Sequence, residues 1–66
     1  MNVLVNSKPV ELPPAATVAV LLEQLGVAGP YALVERNGEP VERELYGRLE
    51  LADGDTLVVA RPVAGG

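Results

Sequence analysis

Apolar and polar residues alternate at the start of the chain in the pattern typical of a β-strand. Met1, Val3 and Val5 occupy one set of positions in residues 1–6, and Asn2, Leu4 and Asn6 occupy the other. A period of two indicates a strand with one buried face. Val10 and Leu12 then flank Glu11 before Pro13-Pro14 ends the pattern, so residues 1–12 predict a β-hairpin.

The period then changes to that of a helix. Four apolar residues fall at positions i, i+3, i+4 and i+7, which forms a single stripe: Val18, Leu21, Leu22 and Leu25. Thr17 precedes them as a candidate N-cap, and Gly26 follows as a residue able to take the left-handed conformation that ends a helix. The sequence therefore predicts one helix over residues 18–25.

A second hairpin is indicated by Asn37-Gly38, which favours a two-residue turn between residues 31–35 and the returning residues 39–41. Residues 42–51 are charged and mixed, which predicts an irregular or one-turn helical segment. Four of its residues are expected to pack on the core: Leu45, Tyr46, Leu49 and Leu51.

The last predicted strand follows a turn at Asp53-Gly54-Asp55 and covers residues 56–60. Pro62 lacks a backbone donor and fixes φ, so the strand is expected to end there. We expect a folded domain over residues 1–62 and a flexible tail over residues 63–66. The predicted order is β-β-α-β-β-turn-β.

Composition narrows the classes of function. The 66 residues include no cysteine and no histidine, which removes the usual thiolate nucleophile, the usual general base and the commonest metal ligands, so neither an enzyme nor a metal site is expected. A net charge of −4 argues against nucleic acid and anionic membranes as partners. With no leader and no apolar run long enough to span a bilayer, the expected location is the cytoplasm.

The terminal pair Gly65-Gly66 is the feature that carries candidate chemistry. Two residues without a Cβ form the narrowest peptide that a chain can present, and the four residues after Pro62 reach about 14 Å when extended. Such a tail suits insertion of a terminal carboxylate into another protein's active site. A frayed, inert terminus is the alternative interpretation of the same residues.

A series of motifs along the whole chain resembles the ThiS sulfur carriers of thiamine thiazole biosynthesis. The series is Thr17-Val18 with Leu21-Leu22 and Leu25, Asn37-Gly38-x-x-Val41-x-Arg43-x-x-Tyr46, Leu51-x-Asp53-Gly54-Asp55-x-Leu57, and Gly65-Gly66. The resemblance implies an α+β, ubiquitin-like β-grasp fold, with a mixed sheet of four to five strands packed on one helix.

The resemblance also implies the chemistry of the tail. Gly66 matches the residue whose carboxylate is adenylated and then converted to a thiocarboxylate, and Gly65 matches its slim neighbour. The implied partners are an E1-like adenylating enzyme, a cysteine desulfurase route and thiazole synthase. The chain would bind no cofactor itself, and ATP would be used by the activating enzyme.

Alternative functions stay open at this point. Pro62, four residues before the end, resembles the tail of the small subunit of molybdopterin synthase. A ubiquitin-like modifier or a tRNA-thiolation carrier would use the same tail. A plain binding domain with an inert tail is the fourth possibility.

The last strand also predicts a docking surface, because it is apolar on both faces. We expect Leu57 and Val59 to face the helix, as the β-grasp resemblance implies, and Val58, Ala60 and Leu4 to form an exposed patch. The predicted partner-binding residues are completed by the tail: Pro62, Val63 and Ala64. The alternative is that the tail or residues 42–51 cover this patch.

Overall fold

A computed structural model describes residues 1–27 and 31–61 of the chain, in which five strands form one mixed sheet. The elements are β1 (Asn2–Val5), β2 (Lys8–Glu11), α1 (Val18–Leu25), β3 (Leu33–Arg36), β4 (Glu39–Pro40), a 3₁₀ turn (Arg43–Leu45) and β5 (Thr56–Ala60). The strand order is β2-β1-β5-β3-β4. The central pair, β1 and β5, is parallel, and the other pairs are antiparallel. The predicted mixed sheet with one helix is confirmed.

Both predicted hairpins are present, and each has a turn with two residues of positive φ. Asn6 and Ser7 have φ values of 50° and 70°, and Asn37 and Gly38 have values of 51° and 86°. Such paired positive φ values match the twist of the flanking strands. The second strand of the second hairpin is shorter than predicted, because the pairing of β4 ends at Pro40.

The helix has the predicted bounds and both predicted caps. Thr17 Oγ1 accepts a hydrogen bond from the Val20 amide at 3.3 Å. At the other end Gly26 is left-handed, with φ 72°, and the Val27 amide donates to the Leu22 carbonyl at 3.0 Å. This is the Schellman arrangement, in which the residue after the glycine closes back on the last turn.

Residues 42–51 complete the N-terminal end of the helix. The Val18 amide donates to the Leu49 carbonyl at 3.2 Å, and the Ala19 amide donates to the Tyr46 carbonyl at 2.7 Å. The first amides of a helix have no partner within it, so this segment supplies acceptors that the helix lacks. The segment is one 3₁₀ turn followed by further turns, as the sequence predicts.

The core lies between α1 and one face of the sheet. Its buried side chains are Val3, Val5, Leu12, Ala16, Val18, Leu21, Leu22, Ala32, Val34, Tyr46, Leu51 and Leu57. Burial of aliphatic area at about 25 cal/mol per Å² is the main stabilising contribution in a core of this kind.

One residue of the apolar helical stripe lies outside the core, and the expected packing of Leu45 on the core is wrong. Leu25 belongs to the apolar stripe but lies at the last position of α1, where it is exposed rather than buried. Leu45 is exposed as well. Tyr46 is buried and Leu49 is half-buried, and these two residues take the positions next to the core instead.

Tyr46 anchors the segment of residues 42–51 through a polar contact inside the core. Its hydroxyl donates a hydrogen bond to the Ala32 carbonyl at 2.8 Å, and both residues are buried. A buried carbonyl that loses its donor is costly because water does not replace the bond. The bond therefore ties residues 42–51 to the start of β3.

We predict that Tyr46→Phe lowers the free energy of unfolding by about 1–2 kcal/mol, because the Ala32 carbonyl loses its buried donor. Urea denaturation followed by circular dichroism measures the change. Tyr31→Phe is the matched control, since Tyr31 is 67% exposed and Tyr46 only 7%. An equal effect of the two substitutions would contradict the assigned role of the Tyr46 hydroxyl.

Candidate functional site

The predicted tail residues Pro62, Val63, Ala64, Gly65 and Gly66 lie outside the residues that the structure describes. The domain boundary at residue 62 lies there too. Arg61 is the last described residue, and it directly follows β5. The position of β5 therefore fixes the point from which the tail begins.

β5 is held on both sides within the sheet. The parallel pairing to β1 includes hydrogen bonds from the Leu4 amide to the Asp55 carbonyl and from the Asn6 amide to the Leu57 carbonyl, each at 2.9 Å. On the other side β3 pairs with β5 from Leu33 to Arg36. The strand that leads to the tail is thus a central strand of the sheet.

Asn6 extends the pairing of β5 beyond the end of β1. Its side-chain Oδ1 accepts from the Val59 amide at 3.0 Å, and its Nδ2 donates to the Val59 carbonyl at 3.0 Å. The side chain thereby replaces a strand backbone at a position where the chain has already turned into the first hairpin. The alternation of residues 1–6 places Asn6 only on the exposed face of β1 and does not predict this contact.

The face of the sheet opposite the helix carries an apolar patch at its centre. Leu4 is 42% exposed, Val58 46% and Leu33 61%, and Ala60 is exposed as well. Leu33 lies directly opposite Ala60 in the β3–β5 pairing. We call these four residues the outer patch.

The expected direction of the β5 side chains is confirmed. Leu57 is fully buried beneath the helix and Val59 is half-buried, whereas Val58 and Ala60 are exposed on the other face. Residues 42–51 leave Val58 exposed, because they cross the N-terminal end of α1 on the helix side. Leu33 was not among the predicted patch residues, since the strand pairing that places it beside Ala60 cannot be read from alternation alone.

A depression of about 290 Å³ borders the outer patch, so the patch is concave along one side. Three patch residues and five neighbours line it: Leu33, Val58 and Ala60, with Val34, Glu35, Pro40, Val41 and Tyr46. Exposed apolar surface with a concave margin is typical of a site that binds another protein.

The edges of the sheet are less suited to partner binding than its face. Each edge strand contains a proline, Pro9 in β2 and Pro40 in β4, which has no amide hydrogen to donate. On β2 the Glu11 carbonyl already accepts from Gln24 Nε2 at 2.9 Å. Addition of a partner strand at either edge is therefore disfavoured, and the outer patch is better suited to partner binding than the edges are.

Asp55 is the one charged side chain that is buried within residues 1–27 and 31–61. Its carboxylate accepts from the Ala52 amide at 2.8 Å, from Arg36 Nε at 2.9 Å and from Asn37 Nδ2 at 3.1 Å. Asn37 Oδ1 in turn accepts from the Thr56 amide at 2.9 Å. The network joins the β3–β4 turn to the start of β5, and its role is structural.

The pKa of Asp55 lies below its ordinary value. Burial acts to raise the pKa, but the hydrogen bonds from Ala52, Asn37 and Arg36, with the positive charge of Arg36, lower it by more. The folded state therefore favours the ionised carboxylate more strongly than the unfolded state does.

Residues 1–27 and 31–61 contain no group of three or more acidic side chains placed to hold a metal ion. The sequence has no histidine and no cysteine that could act as a ligand. The helix in this part of the chain is too short to cross a bilayer.

Comparison with known proteins identifies the family. The model of the ThiS family matches residues 3–66. The chain belongs to the ThiS family, a family of small sulfur-carrier proteins. Its motifs at residues 17–25, 37–46 and 51–57 thus lie on the helix, the second hairpin with the 3₁₀ turn, and the turn into β5.

Solved structures support both the family and the β-grasp fold. A crystal structure of the thiamine biosynthesis protein ThiS from Geobacter metallireducens is 39% identical, with a TM-score of 0.79 and full coverage of both chains. A solution structure of a thiamine biosynthesis protein from the same organism has a TM-score of 0.80, with 39% identity over the whole of this chain and 88% of that one. SAMP1 from Haloferax volcanii is 26% identical, with a TM-score of 0.61, and the match covers all of this chain and 98% of that one.

A curated relative of different length also matches the whole chain. It is a thiazole synthase from Paramagnetospirillum magneticum, 33% identical over 66 residues. The chain spans 20% of the length of that relative.

We predict that the free energy of unfolding falls as the pH drops below about 4, because the unfolded Asp55 then binds a proton that the folded state excludes. The stabilisation is complete above the unfolded-state pKa and is lost as the pH falls through the lower folded-state pKa. Asp55→Asn should be about 1–3 kcal/mol less stable at neutral pH and should lose part of this acid dependence.

Urea denaturation at a series of pH values measures both effects. Glu23→Gln, at an exposed helix position, should keep the acid dependence of the unmodified protein. If Asp55→Asn kept it as well, Asp55 would not be its source.

Proposed function

We propose that this ThiS-family chain acts as a protein cosubstrate that carries sulfur as a thiocarboxylate on Gly66 for thiamine thiazole synthesis. A free carboxylate at neutral pH is an anion and a poor electrophile, with a pKa of about 3.5. Adenylation by an E1-like enzyme would join it to AMP with loss of pyrophosphate. The terminal sulfur of a persulfide made by a cysteine desulfurase would then attack the adenylate and displace AMP, which gives an acyl disulfide. A second thiol would attack the S–S bond of that acyl disulfide, form a disulfide with the donor and release the thiocarboxylate.

The observation that carries this proposal is the full-length match to the ThiS family and its thiamine biosynthesis structures. The Paramagnetospirillum relative supports thiazole synthase as the acceptor, since that protein bears the name and contains a region like this chain. These names favour the thiazole pathway over the molybdopterin and tRNA-thiolation alternatives. The cytoplasmic location stays a prediction.

The geometry supports separate roles for the folded domain and for the five residues that follow Arg61. β5 is fixed in the centre of the sheet and its end is clamped by Asn6, so the five residues after Arg61 start from a rigid point. Five residues span at most about 17 Å when extended. That length allows Gly66 to enter an active site while the folded domain stays at the partner's surface.

We assign the docking role to the outer patch. Leu4, Val58 and Ala60 lie on the two central strands, and Leu33 extends the apolar area across β3. The adenylating enzyme and thiazole synthase would each bind this face in turn. Pro62, Val63 and Ala64 would line the path of the tail into the partner.

The test is the intact mass of the chain ending at Gly66 after incubation with ATP, an E1-like enzyme, a cysteine desulfurase and an excess of cysteine, which is both the sulfur source and the thiol reductant. We expect a gain equal to the replacement of one oxygen by sulfur, lost when ATP is omitted or when Gly66 is deleted. The deletion removes the terminal residue and leaves the described domain unchanged, so it separates chemistry from folding. No gain with several activating enzymes would favour a binding domain with an inert tail.

A further inference from the structure

A second surface lies beside the start of the tail, on the helix side of β5. It is a groove of about 280 Å³ between the C-terminal end of α1 and the ends of the strands. Its apolar lining consists of Val5, Val10, Leu25, Val27 and Val59. We call it the exit groove, because Arg61 lies at its margin.

The exit groove is lined by positive charges, whereas the whole chain has a net charge of −4. Lys8 and Arg61 line it, and no acidic residue among those described does so. The chain has nine acidic and five basic residues, so two of the five cations lie at this one groove. Within residues 1–27 and 31–61 the structure has one ion pair, between Arg36 and Asp55, so neither groove cation is neutralised by a described carboxylate.

The chemistry of the groove defines its occupant. An apolar lining of this volume accommodates one aliphatic or aromatic side chain, and the two cations at its margin favour carboxylates next to that side chain. Strand addition is disfavoured along β2, where Pro9 has no amide hydrogen and Gln24 occupies the Glu11 carbonyl. The occupant therefore enters with its side chain and not as an added strand.

The position of the groove beside Arg61 indicates that a partner which receives the tail supplies this segment. Val59 lines the groove from one face of β5, while Val58 and Ala60 belong to the outer patch on the other face. A partner that draws in the tail beyond Arg61 must close around this end of the strand. Contacts on both faces would orient the domain as the tail enters.

We propose that the exit groove binds an apolar side chain flanked by carboxylates on the adenylating enzyme, with Lys8 and Arg61 pairing with those carboxylates. The proposal rests on the proposed carrier function. It adds a second contact surface, on the helix side of β5, to the outer patch.

The charge part of the proposal is tested by pyrophosphate exchange with the cognate adenylating enzyme, with the concentration of this protein varied to obtain its KM. Lys8→Glu and Arg61→Glu should each raise KM about five- to tenfold at low salt. Raising the ionic strength from about 0.01 M to 0.1 M shortens the Debye length from about 30 to 10 Å, so the difference should shrink. Arg48→Glu is the matched control, because it makes the same charge change beside Leu49 at the opposite end of α1.

The apolar part is tested by a second matched pair on the helix. Leu25 and Val20 are 37% and 39% exposed, and of the two Leu25 lines the groove. Leu25→Ser should raise KM several-fold, while Val20→Ser should leave it unchanged. Circular dichroism and urea denaturation of each variant exclude loss of folding as the cause.

The outcomes separate this proposal from the carrier function. If the unmodified protein supports no exchange, the carrier proposal fails and the groove proposal fails with it. If the unmodified protein is adenylated but Lys8→Glu, Arg61→Glu and Arg48→Glu have equal KM values, the groove proposal alone is overturned. Equal effects of Leu25→Ser and Val20→Ser would overturn the apolar contact.

Discussion

One helix covers only one face of a sheet, and in this protein that limit has its greatest effect on β5. The strand is central and apolar on both faces, so Leu57 is buried beneath α1 while Val58 remains exposed on the other side. Burial of Leu57 stabilises the domain, and exposure of Val58 supplies a surface that the domain itself does not cover. The same strand therefore stabilises the core with one face and leaves the other face free for the docking role that we propose.

The position of β5 depends on contacts from distant parts of the chain. β1 and β3 pair along its two sides, Asn6 holds the backbone of Val59, and the Asp55 network fixes the turn that begins it. Parallel pairing places the first and last strands side by side in the middle of the sheet. A tail that starts from such a strand has a defined origin, which suits delivery of a terminal group into a partner.

Much of this fold could be predicted from local patterns. Thr17, the helical stripe and Gly26 define the helix because caps and periodicity act over a few residues. Asn37-Gly38 defines its turn in the same way. Leu25 shows where such reasoning stops, since a stripe gives the direction of a side chain and not whether the sheet extends far enough to cover it.

Most of the contacts that the sequence patterns do not predict join residues that are far apart in the chain. Asp55 was assigned to a turn, but its burial follows from Arg36 and Asn37, which lie 19 and 18 residues away. Asn6 and Val59 are 53 residues apart. Leu33 joins the outer patch because β3 pairs with β5 in one particular register. The narrow terminal pair Gly65-Gly66 indicates a candidate site from the sequence alone, the ThiS resemblance implies its chemistry, and both the site and the thiocarboxylate on it stay predictions.

The central claim is that one face of β5 stabilises the core while the other face binds partners. A comparison of Val58→Glu with Leu57→Ala tests this claim most directly. For each variant, urea denaturation gives the free energy of unfolding and pyrophosphate exchange with the adenylating enzyme gives KM. Leu57→Ala should cost about 2–4 kcal/mol of stability and, while folded, keep its KM. Val58→Glu should keep most of its stability and raise KM at least tenfold. A Val58→Glu protein that is adenylated as readily as the unmodified chain would contradict the claim.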